Sequence, residues 1–416
     1  MKLVMEEKKL VMLIYFGAML ASLCSIADNV PLAGPMYYVK YLYVVVIAFF
    51  CFYDGVIVVS KRLNIGCGLL ILHTLLYGLV FVNPIISVYT AVHLDQMMII
   101  YLAVFFTCIY VYKHDCFLLF LEMSYLALAI FLMWCAISHF GDFVNPIYYI
   151  NIFSRSDRFR APFGMGDVNY CGNYCLYALI LAILLLKEWH AAGKKVDKKV
   201  YWAMAGVSFI VLCMLFSTAS RSAVISLGLF SGLLWLFDHW YLVKKYKALI
   251  ISVVIIGILV ALIMAVTGVW AQIWVESNRE GNMDINFPIF LMHGDYLHGM
   301  GYMDNSGFLG MKFGYPTTAM DVYYLYIPFS TGIVGSVLVF GQMLYMLCQL
   351  LFRYKVHGRN QNLAMFLMML FYAVWQVNYM NSRYFTSWMH MVILFYFLMQ
   401  INKEKDNYIF VLRRNK

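Results

Sequence analysis

A group of arginine residues with the spacing of an anion-binding site separates two apolar stretches of the sequence. Arg155, Arg158 and Arg160 fall within six positions of Ser-Arg-Ser-Asp-Arg-Phe-Arg-Ala-Pro-Phe-Gly-Met-Gly, where proline and glycine disfavour a helix. Guanidinium groups bind phosphate or carboxylate through paired hydrogen bonds and keep their charge at a membrane surface. The cluster predicts a site for an anionic ligand. Attachment to lipid headgroups, or an ion pair with Asp157, is the alternative.

Another arginine, Arg221, lies in a tight turn between two apolar stretches, within Ser-Thr-Ala-Ser-Arg-Ser. We expect it to begin a helix, where unpaired backbone N–H groups and the positive end of the helix dipole favour a bound phosphate. An interfacial anchor that extends to water is the alternative. Arg383, near the last apolar stretch, is a further candidate for ligand binding.

Polar residues at two expected helix starts suit either chemistry or capping. Asp321 precedes a long apolar stretch, and its carboxylate can take a proton from a sugar hydroxyl as a general base or can cap the helix. Asp167 and Asn169 open another stretch, where capping is slightly favoured. Asn169 is also a candidate ligand contact.

A compact histidine group occurs later, in His-Gly-Asp-Tyr-Leu-His, which contains His293, Asp295 and His298. The spacing lacks a clear pair of ligands one helical turn apart, so hydrogen bonding to a substrate by His298 is favoured over metal ligation. Tyr302 suits stacking on a sugar face, although aromatic residues are common at membrane interfaces. We expect neither a metal nor a cofactor.

The elements that must position these residues are membrane-spanning helices. Hydrophobic residues make up 64% of the chain and charged residues 12%, whereas a soluble domain has about half and about a quarter. The sequence predicts an all-α integral membrane protein, a single polytopic domain over residues 1–416 with about twelve spans of roughly 20 residues. The expected spans are 10–27, 39–59, 66–82, 97–112, 116–138, 169–186, 201–219, 222–242, 248–269, 322–350, 363–380 and 387–401.

The basic residues predict the orientation of these spans. With the N-terminus in the cytoplasm, most of them fall in cytoplasmic turns, including the 187–199 cluster and the C-terminal tail, as the positive-inside tendency requires. Both termini are therefore expected in the cytoplasm, and the net charge of +9 does not indicate nucleic acid as a partner. Loops 139–168 and 270–320 then lie on the outer face. Lys40 and the arginines described above remain there against the tendency, which indicates a function.

Three local patterns, in order and all expected on the outer face, resemble the bacterial O-antigen polymerase and O-antigen ligase superfamily. Arg160-Ala-Pro-Phe-Gly, followed by Asp167-Val-Asn169, is similar to that family's Arg, Phe-Gly and Asn element before a span. Ser220-Arg221-Ser222 is similar to its Ser-Arg turn. The third pattern is Leu297-His298-Gly299-Met300-Gly301-Tyr302, followed by Asp321-Val-Tyr-Tyr-Leu325 and Gly332-Ile-Val-Gly335.

The resemblance implies a metal-independent, GT-C-like glycosyltransferase of the bacterial inner membrane, with 139–168 and 270–320 as its periplasmic loops. Ligases typically have a His-Asn or His-Ser pair where this chain has Asp321 and Val322, so a polymerase of undecaprenyl-diphosphate-linked repeat units is favoured. A ligase that transfers glycan to lipid A core, and a polysaccharide flippase or other transporter, remain as alternatives.

On this interpretation the candidate site residues divide into two roles. Catalysis is assigned to Arg160, Arg221 and Asp321, and substrate binding to Arg155, Arg158, Asn169, His298, Tyr302 and Arg383. The expected partners are the undecaprenyl-diphosphate-linked glycan, membrane lipids, a chain-length regulator and a flippase.

Overall fold

The computed structural model describes residues 2–28, 30, 33–53, 56–81, 94–95, 97–150, 160–245, 259, 262–263, 266–267, 288, 290–292, 295–299, 322–352, 356–374, 385–401 and 407–411. These residues are predominantly helical. Most of the expected span 248–269 and most of loop 270–320 lie outside this part of the chain.

The elements are numbered in chain order. The helices are α1 (Lys2–Cys24), α2 (Ala33–Tyr53), α3 (Lys61–Leu75), α4 (Phe105–Lys113), α5 (Phe117–Ser138), α6 (Phe140–Val144), α7 (Pro146–Ile150), α8 (Val168–Ala191), α9 (Lys198–Ser217), α10 (Arg221–Asp238), α11 (Trp240–Lys245), α12 (Tyr323–Phe352), α13 (Arg359–Tyr372) and α14 (Phe385–Gln400). The strands are β1 (Val56–Ser60) and β2 (Asn407–Val411). π-Helical turns extend α3 through Leu76–Val80 and precede α4 at Met98–Val104.

The long helices have the length and composition of membrane spans. Among the described residues, 7 helices are long and apolar enough to cross a bilayer, namely α2, α3 with its π-helical extension, α5, α8, α9, α10 and α12. The stretches Met98–Lys113 and Phe385–Gln400 are apolar but shorter. A helical chain suited to a membrane, as the hydropathy predicted, is therefore confirmed.

A two-stranded antiparallel ribbon is the part of the fold that the sequence did not predict. The expected span 39–59 is wrong at its end, because α2 stops at Tyr53 and β1 follows. β1 pairs with β2 in a register that matches Val56 with Val411 and Ser60 with Asn407. The Val-Ile-Val-Val run of β1 suits a strand, since β-branched side chains pack well on a pleated surface. The ribbon joins the end of α2 to the C-terminal tail.

Two helices form the centre of the bundle. Every side chain of α14 from Phe385 to Met399 is buried, and α8 is buried along most of its length. Because the whole circumference of α14 is buried, it is surrounded by other parts of the described chain. α8 packs against α5, α9 and α10, and α14 packs against α3, α4 and α13.

One end of the bundle carries a network of acidic residues, which we call the acidic rim and define by Glu122, Glu188 and Asp238. The Trp189 indole donates to Glu122 at 2.7 Å, and Asn360 donates to Asp238 at 3.2 Å. These contacts join the last turns of α8 and α10 to the starts of α5 and α13. Because α8 and α10 both end here, both begin at the opposite rim.

Helices interrupt the expected outer loop 139–168. α6 and α7 occupy its first part, although the interpretation as a continuous loop did not include them. Asn145 accepts a hydrogen bond from the Ile147 N–H at 3.1 Å, and Pro146 takes the first helical position, where its missing N–H costs nothing. The Asn-Pro pair therefore starts α7. Residues 151–159 lie outside the described part of the loop.

Candidate functional site

The start of α8 forms one wall of the site. Asp167 has extended backbone geometry, and its carboxylate accepts from the Asn169 N–H at 2.8 Å, so Asp167 is the N-cap. This confirms the capping role that the sequence favoured for Asp167. With its backbone satisfied by the cap, Asn169 directs its side-chain oxygen to a different partner.

That partner is Arg160, whose guanidinium joins two helix ends. Arg160 Nη2 donates to Asn169 Oδ1 at 2.9 Å, and Arg160 Nε donates to the Thr218 carbonyl at 2.9 Å. The Ala161 N–H reinforces the connection by donating to the Ser217 carbonyl at 3.2 Å. Arg160 therefore bridges the N-terminal end of α8 and the turn between α9 and α10.

Arg221 follows in the same turn and begins α10, as the sequence predicted. Its backbone N–H donates to the Ala219 carbonyl at 3.1 Å. The N-terminal ends of α8 and α10 thus lie side by side, each with the positive end of its dipole at this rim, and each is accompanied by an arginine. We call this the arginine rim.

The turn itself is strained and closely packed. Ala219 is fully buried and has φ +48°, a left-handed conformation that costs a non-glycine residue about 1–2 kcal/mol. Gly172 of α8 lies directly against it, because a Cβ at Gly172 would be only 2.7 Å from Ser220 Cβ. A side chain at position 172 would separate α8 from the turn. Such strain persists only where the surroundings hold it in place, and it is typical of functional sites.

Polar atoms without partners lie beneath the arginines. The Ser220 hydroxyl and both amide atoms of Asn173 are buried and have no hydrogen-bond partner among the described residues. Asn173 is one helical turn from Asn169 and therefore shares its face of α8. Buried polar atoms in native proteins normally bind a partner, which includes ordered water or a ligand. The floor of the arginine rim is thus suited to receive polar groups.

The segment after Arg160 is anchored on the residues that follow α1. The Asp28 N–H donates to the Gly164 carbonyl at 2.5 Å, and Ala27 forms a bridge with Met165. Gly164 has φ +69°, and a Cβ there would lie 2.1 Å from the His139 ring. Only glycine fits between His139 and this backbone. The glycine of the Phe-Gly pattern therefore holds Arg160 in place.

A second polar group lies against Phe81, directly after the π-helical extension of α3. His298 Nδ1 donates to Asp295 Oδ2 at 2.7 Å, and the His298 ring stacks on Phe81 with centroids 4.1 Å apart. Hydrogen bonds, first from the His298 side chain and then from the Leu297 N–H, lower the pKa of the Asp295 carboxyl below its ordinary value. Because the carboxylate orients Nδ1, Nε2 is the His298 atom available to a ligand.

The turn that carries this pair docks into a break in α12. Gly332 has φ +60° and ψ −159°, and the broken helix resumes where the Ile333 N–H donates to the Tyr296 carbonyl at 3.0 Å. Gly299 faces Gly332 so closely that a Cβ on Gly299 would lie 2.4 Å from the Thr331 nitrogen. The Leu297–Gly299 and Gly332–Gly335 patterns, distant in sequence, therefore form one structural unit.

Lys40 does not belong to the candidate site. It is 3% exposed, lies 3.5 Å from an Asp95 carboxylate oxygen and has its ammonium 3.7 Å from the centre of the Tyr37 ring. Tyr41 also donates to Asp95. Lys40 was expected on the outer face against the positive-inside tendency. Its charge is neutralised by the ion pair with Asp95, which joins α2 to the segment before α4.

The remaining predicted site residues lie outside the described residues: Arg155, Arg158, His293, Tyr302, Asp321 and Arg383. Their roles stay predictions. Of the predicted set, the structure brings Arg160, Asn169 and Arg221 to one rim, and His298 to the Asp295 turn. Within the described part of the chain, no group of three or more His, Cys, Asp or Glu side chains has the geometry of a metal site.

Sequence reasoning missed three residues that shape the arginine rim, namely Gly172, Thr218 and Ala219. Thr218 contributes a backbone carbonyl, which leaves no signal in its residue type. Gly172 was the one residue of the three that the sequence could have revealed. It lies near the start of an expected helix, where a glycine costs about 1 kcal/mol relative to alanine and often has a packing reason.

Comparison with known proteins adds no relative to this description. No family model matches the chain, and no curated protein shows a significant sequence match.

Proposed function

We propose that the protein is a bacterial inner-membrane glycosyltransferase that polymerises undecaprenyl-diphosphate-linked repeat units of O-antigen or a related surface polysaccharide. The observation that carries the proposal is the Arg160 guanidinium, fixed between the N-terminal ends of α8 and α10 beside Arg221. Two helix dipoles and two guanidinium groups favour a polyanion. A lipid diphosphate is an anion that reaches a rim of a membrane protein.

In the proposed reaction, a hydroxyl of the terminal sugar on a new repeat unit attacks the anomeric carbon of the growing glycan. The bond between that carbon and the diphosphate oxygen breaks, and undecaprenyl diphosphate leaves with the electron pair. Arg160 and Arg221, helped by Arg155 or Arg158, bind the diphosphate and stabilise the charge that develops on it. Removing one preorganised donor of this kind commonly costs on the order of 10²-fold or more in rate.

The proton of the attacking hydroxyl needs a base. Asp321 is the base that the family resemblance suggests. The Asp295 and His298 pair is a second candidate, because the carboxylate holds the histidine in the tautomer that leaves Nε2 able to accept a proton. In this account the charge on the diphosphate is balanced by arginine, and neither a metal nor a cofactor takes part.

The proposed topology has twelve spans, cytoplasmic termini and the arginine rim at the periplasmic face. Pairing of β1 with β2 keeps the end of α2 and the C-terminal tail on one side of the membrane, so an even number of crossings separates them. The described chain supplies eight candidates between these strands: α3, Met98–Lys113, α5, α8, α9, α10, α12 and α14. Two expected spans, 248–269 and 363–380, the second of which overlaps α13, bring the number to ten, which is even.

The test is incubation of the purified protein in liposomes with carrier-linked repeat units, followed by a gel. We expect a ladder of longer products from the wild type, and none from Arg160→Ala or Arg221→Ala. Arg62→Ala is the matched control, because Arg62 Nη1 also donates to a backbone carbonyl, that of Ile401 at 3.0 Å, but at the other end of the bundle.

Three outcomes would overturn the proposal. A single transfer of finished glycan to a lipid A core acceptor would indicate a ligase. Movement of carrier-linked oligosaccharide across the bilayer without longer products would indicate a transporter. Ladders of normal length from both rim variants would remove the arginine rim from the reaction.

A further inference from the structure

An apolar cleft opens between α9 and α10. Both helices pack along α8, but beyond the turn that joins them they contact one another only sparsely. The space left between them, with α8 as its floor, has a volume of about 520 Å³. Its lining includes Leu179, Ile183, Ala205, Ser208, Leu212 and Leu227.

The cleft is aligned with the arginine rim. Leu212 precedes Thr218 by six residues and Leu227 follows Arg221 by six, so the upper end of the cleft lies about 9 Å below the turn. From Leu212 the lining continues along α9 to Tyr201, a distance of about 16 Å. The arginine rim therefore lies at one end of an apolar channel that runs along α9 toward the opposite end of the bundle.

We propose that this cleft binds the isoprenoid tail of the lipid whose diphosphate occupies the arginine rim. The inference rests on the proposed function and names the part of the substrate that the spans recognise. About 520 Å³ over a length of about 16 Å gives a cross-section near 30 Å², which suits one chain. A phospholipid has two chains and carries one phosphate, so it matches neither the channel nor the paired arginines.

The bilayer limits how the cleft contributes to binding. An isoprenoid tail is already in an apolar solvent, so moving it into the cleft gains little from the hydrophobic effect, and the gain comes from van der Waals packing. The cleft therefore selects the shape of the part of the tail that it contacts, while the arginines supply the attraction. Blocking the cleft should affect long-tailed substrates only.

The test compares two tryptophan substitutions on α9. Ala205→Trp fills the cleft, whereas Ala203→Trp adds the same ring at an exposed position outside the cleft lining. Each variant extends repeat units on a carrier of eleven isoprene units or on a carrier of two. We expect Ala205→Trp to raise the KM for the long carrier by about tenfold and to leave the short carrier unchanged. Ala203→Trp should match the wild type on both.

A photoreactive isoprenoid diphosphate gives a second readout that does not require activity. We expect mass spectrometry to find its label on α8 and α9 residues of the cleft, and an excess of ordinary phospholipid to leave this labelling intact. Labelling elsewhere, or loss of labelling to phospholipid, would overturn the inference. The inference would also be overturned if the wild type polymerised and the two tryptophan variants had equal kinetics. Cleft labelling in a protein that makes no polymer would sustain the inference while refuting the proposed function.

Discussion

Replacing Gly172 with alanine tests whether close packing of α8 on the α9–α10 turn sets the position of the arginines. The new Cβ would lie 2.7 Å from Ser220 Cβ and 2.9 Å from its hydroxyl oxygen. Carbon atoms pack at about 3.5–4.0 Å, so the turn must move by about 1 Å. The hydrogen bond from Arg160 Nε to the Thr218 carbonyl, now 2.9 Å, would then exceed its normal range.

The expected cost follows from three contributions. Overpacking costs about 1–3 kcal/mol, and loss of a hydrogen bond from a charged group costs about 1.5–3 kcal/mol. The better helix propensity of alanine returns about 1 kcal/mol. The Gly172→Ala variant should therefore be less stable by about 1.5–5 kcal/mol, which remains within the stability of many folded proteins.

Thermal unfolding in detergent and the chain-extension assay together measure this effect. Gly206→Ala is the control, because Gly206 lies in the middle of α9 with no atom within 4 Å of its added Cβ. We expect Gly172→Ala to unfold at a lower temperature and to extend glycans at least about tenfold more slowly. Gly206→Ala should match or exceed the wild type in stability. Equal stability and chain length in the two variants would refute the proposed packing of the turn.

Three further perturbations have definite expected outcomes. Gly332→Ala should lower the unfolding temperature strongly, since its Cβ would meet the backbone of the docked turn at 2.5 Å, whereas Gly341→Ala in the same helix meets nothing within 4 Å; equal unfolding temperatures would contradict the docking. Hydrogen bonds lower the pKa of the Asp295 carboxyl, so its ionised form stabilises the docked turn above pH ~4, and this stabilisation is lost as the pH falls through the folded-state pKa. Hydrogen exchange of the turn should therefore become faster on acidification, and Asp295→Asn should remove that dependence on pH. Arg160→Lys should impair chain extension, because lysine cannot keep both bonds of the guanidinium fork; a normal ladder would indicate that charge alone suffices.

Hydropathy and local chemistry predicted much of the fold, because a bilayer forces long apolar stretches into helices. Arg221 at a helix start and Asp167 as an N-cap were both predictable from neighbouring residues. The end of α2 was not, because the apolar run Val56–Ser60 continues the helix in hydropathy and its strand partner, Asn407–Val411, is remote in the sequence.

The candidate site was predictable only in part, for a related reason. Residue types revealed the charges of Arg160 and Arg221, but the contact that joins them passes through the Thr218 carbonyl, which any residue could supply. The pairing of Gly299 with Gly332 likewise arises from two backbones that approach each other, and a sequence records only that both are glycine. Tertiary contacts of this kind require coordinates.

The central claim is that Arg160 and Arg221 bind one diphosphate. Its most direct test is the affinity of the protein in nanodiscs for undecaprenyl diphosphate, measured for the wild type, Arg160→Ala, Arg221→Ala and the double variant. If both guanidinium groups hold one diphosphate, each single substitution should weaken binding at least about tenfold, and the double variant should lose less than the product of the two effects. Wild-type affinity in either single variant would contradict a shared ligand at the arginine rim.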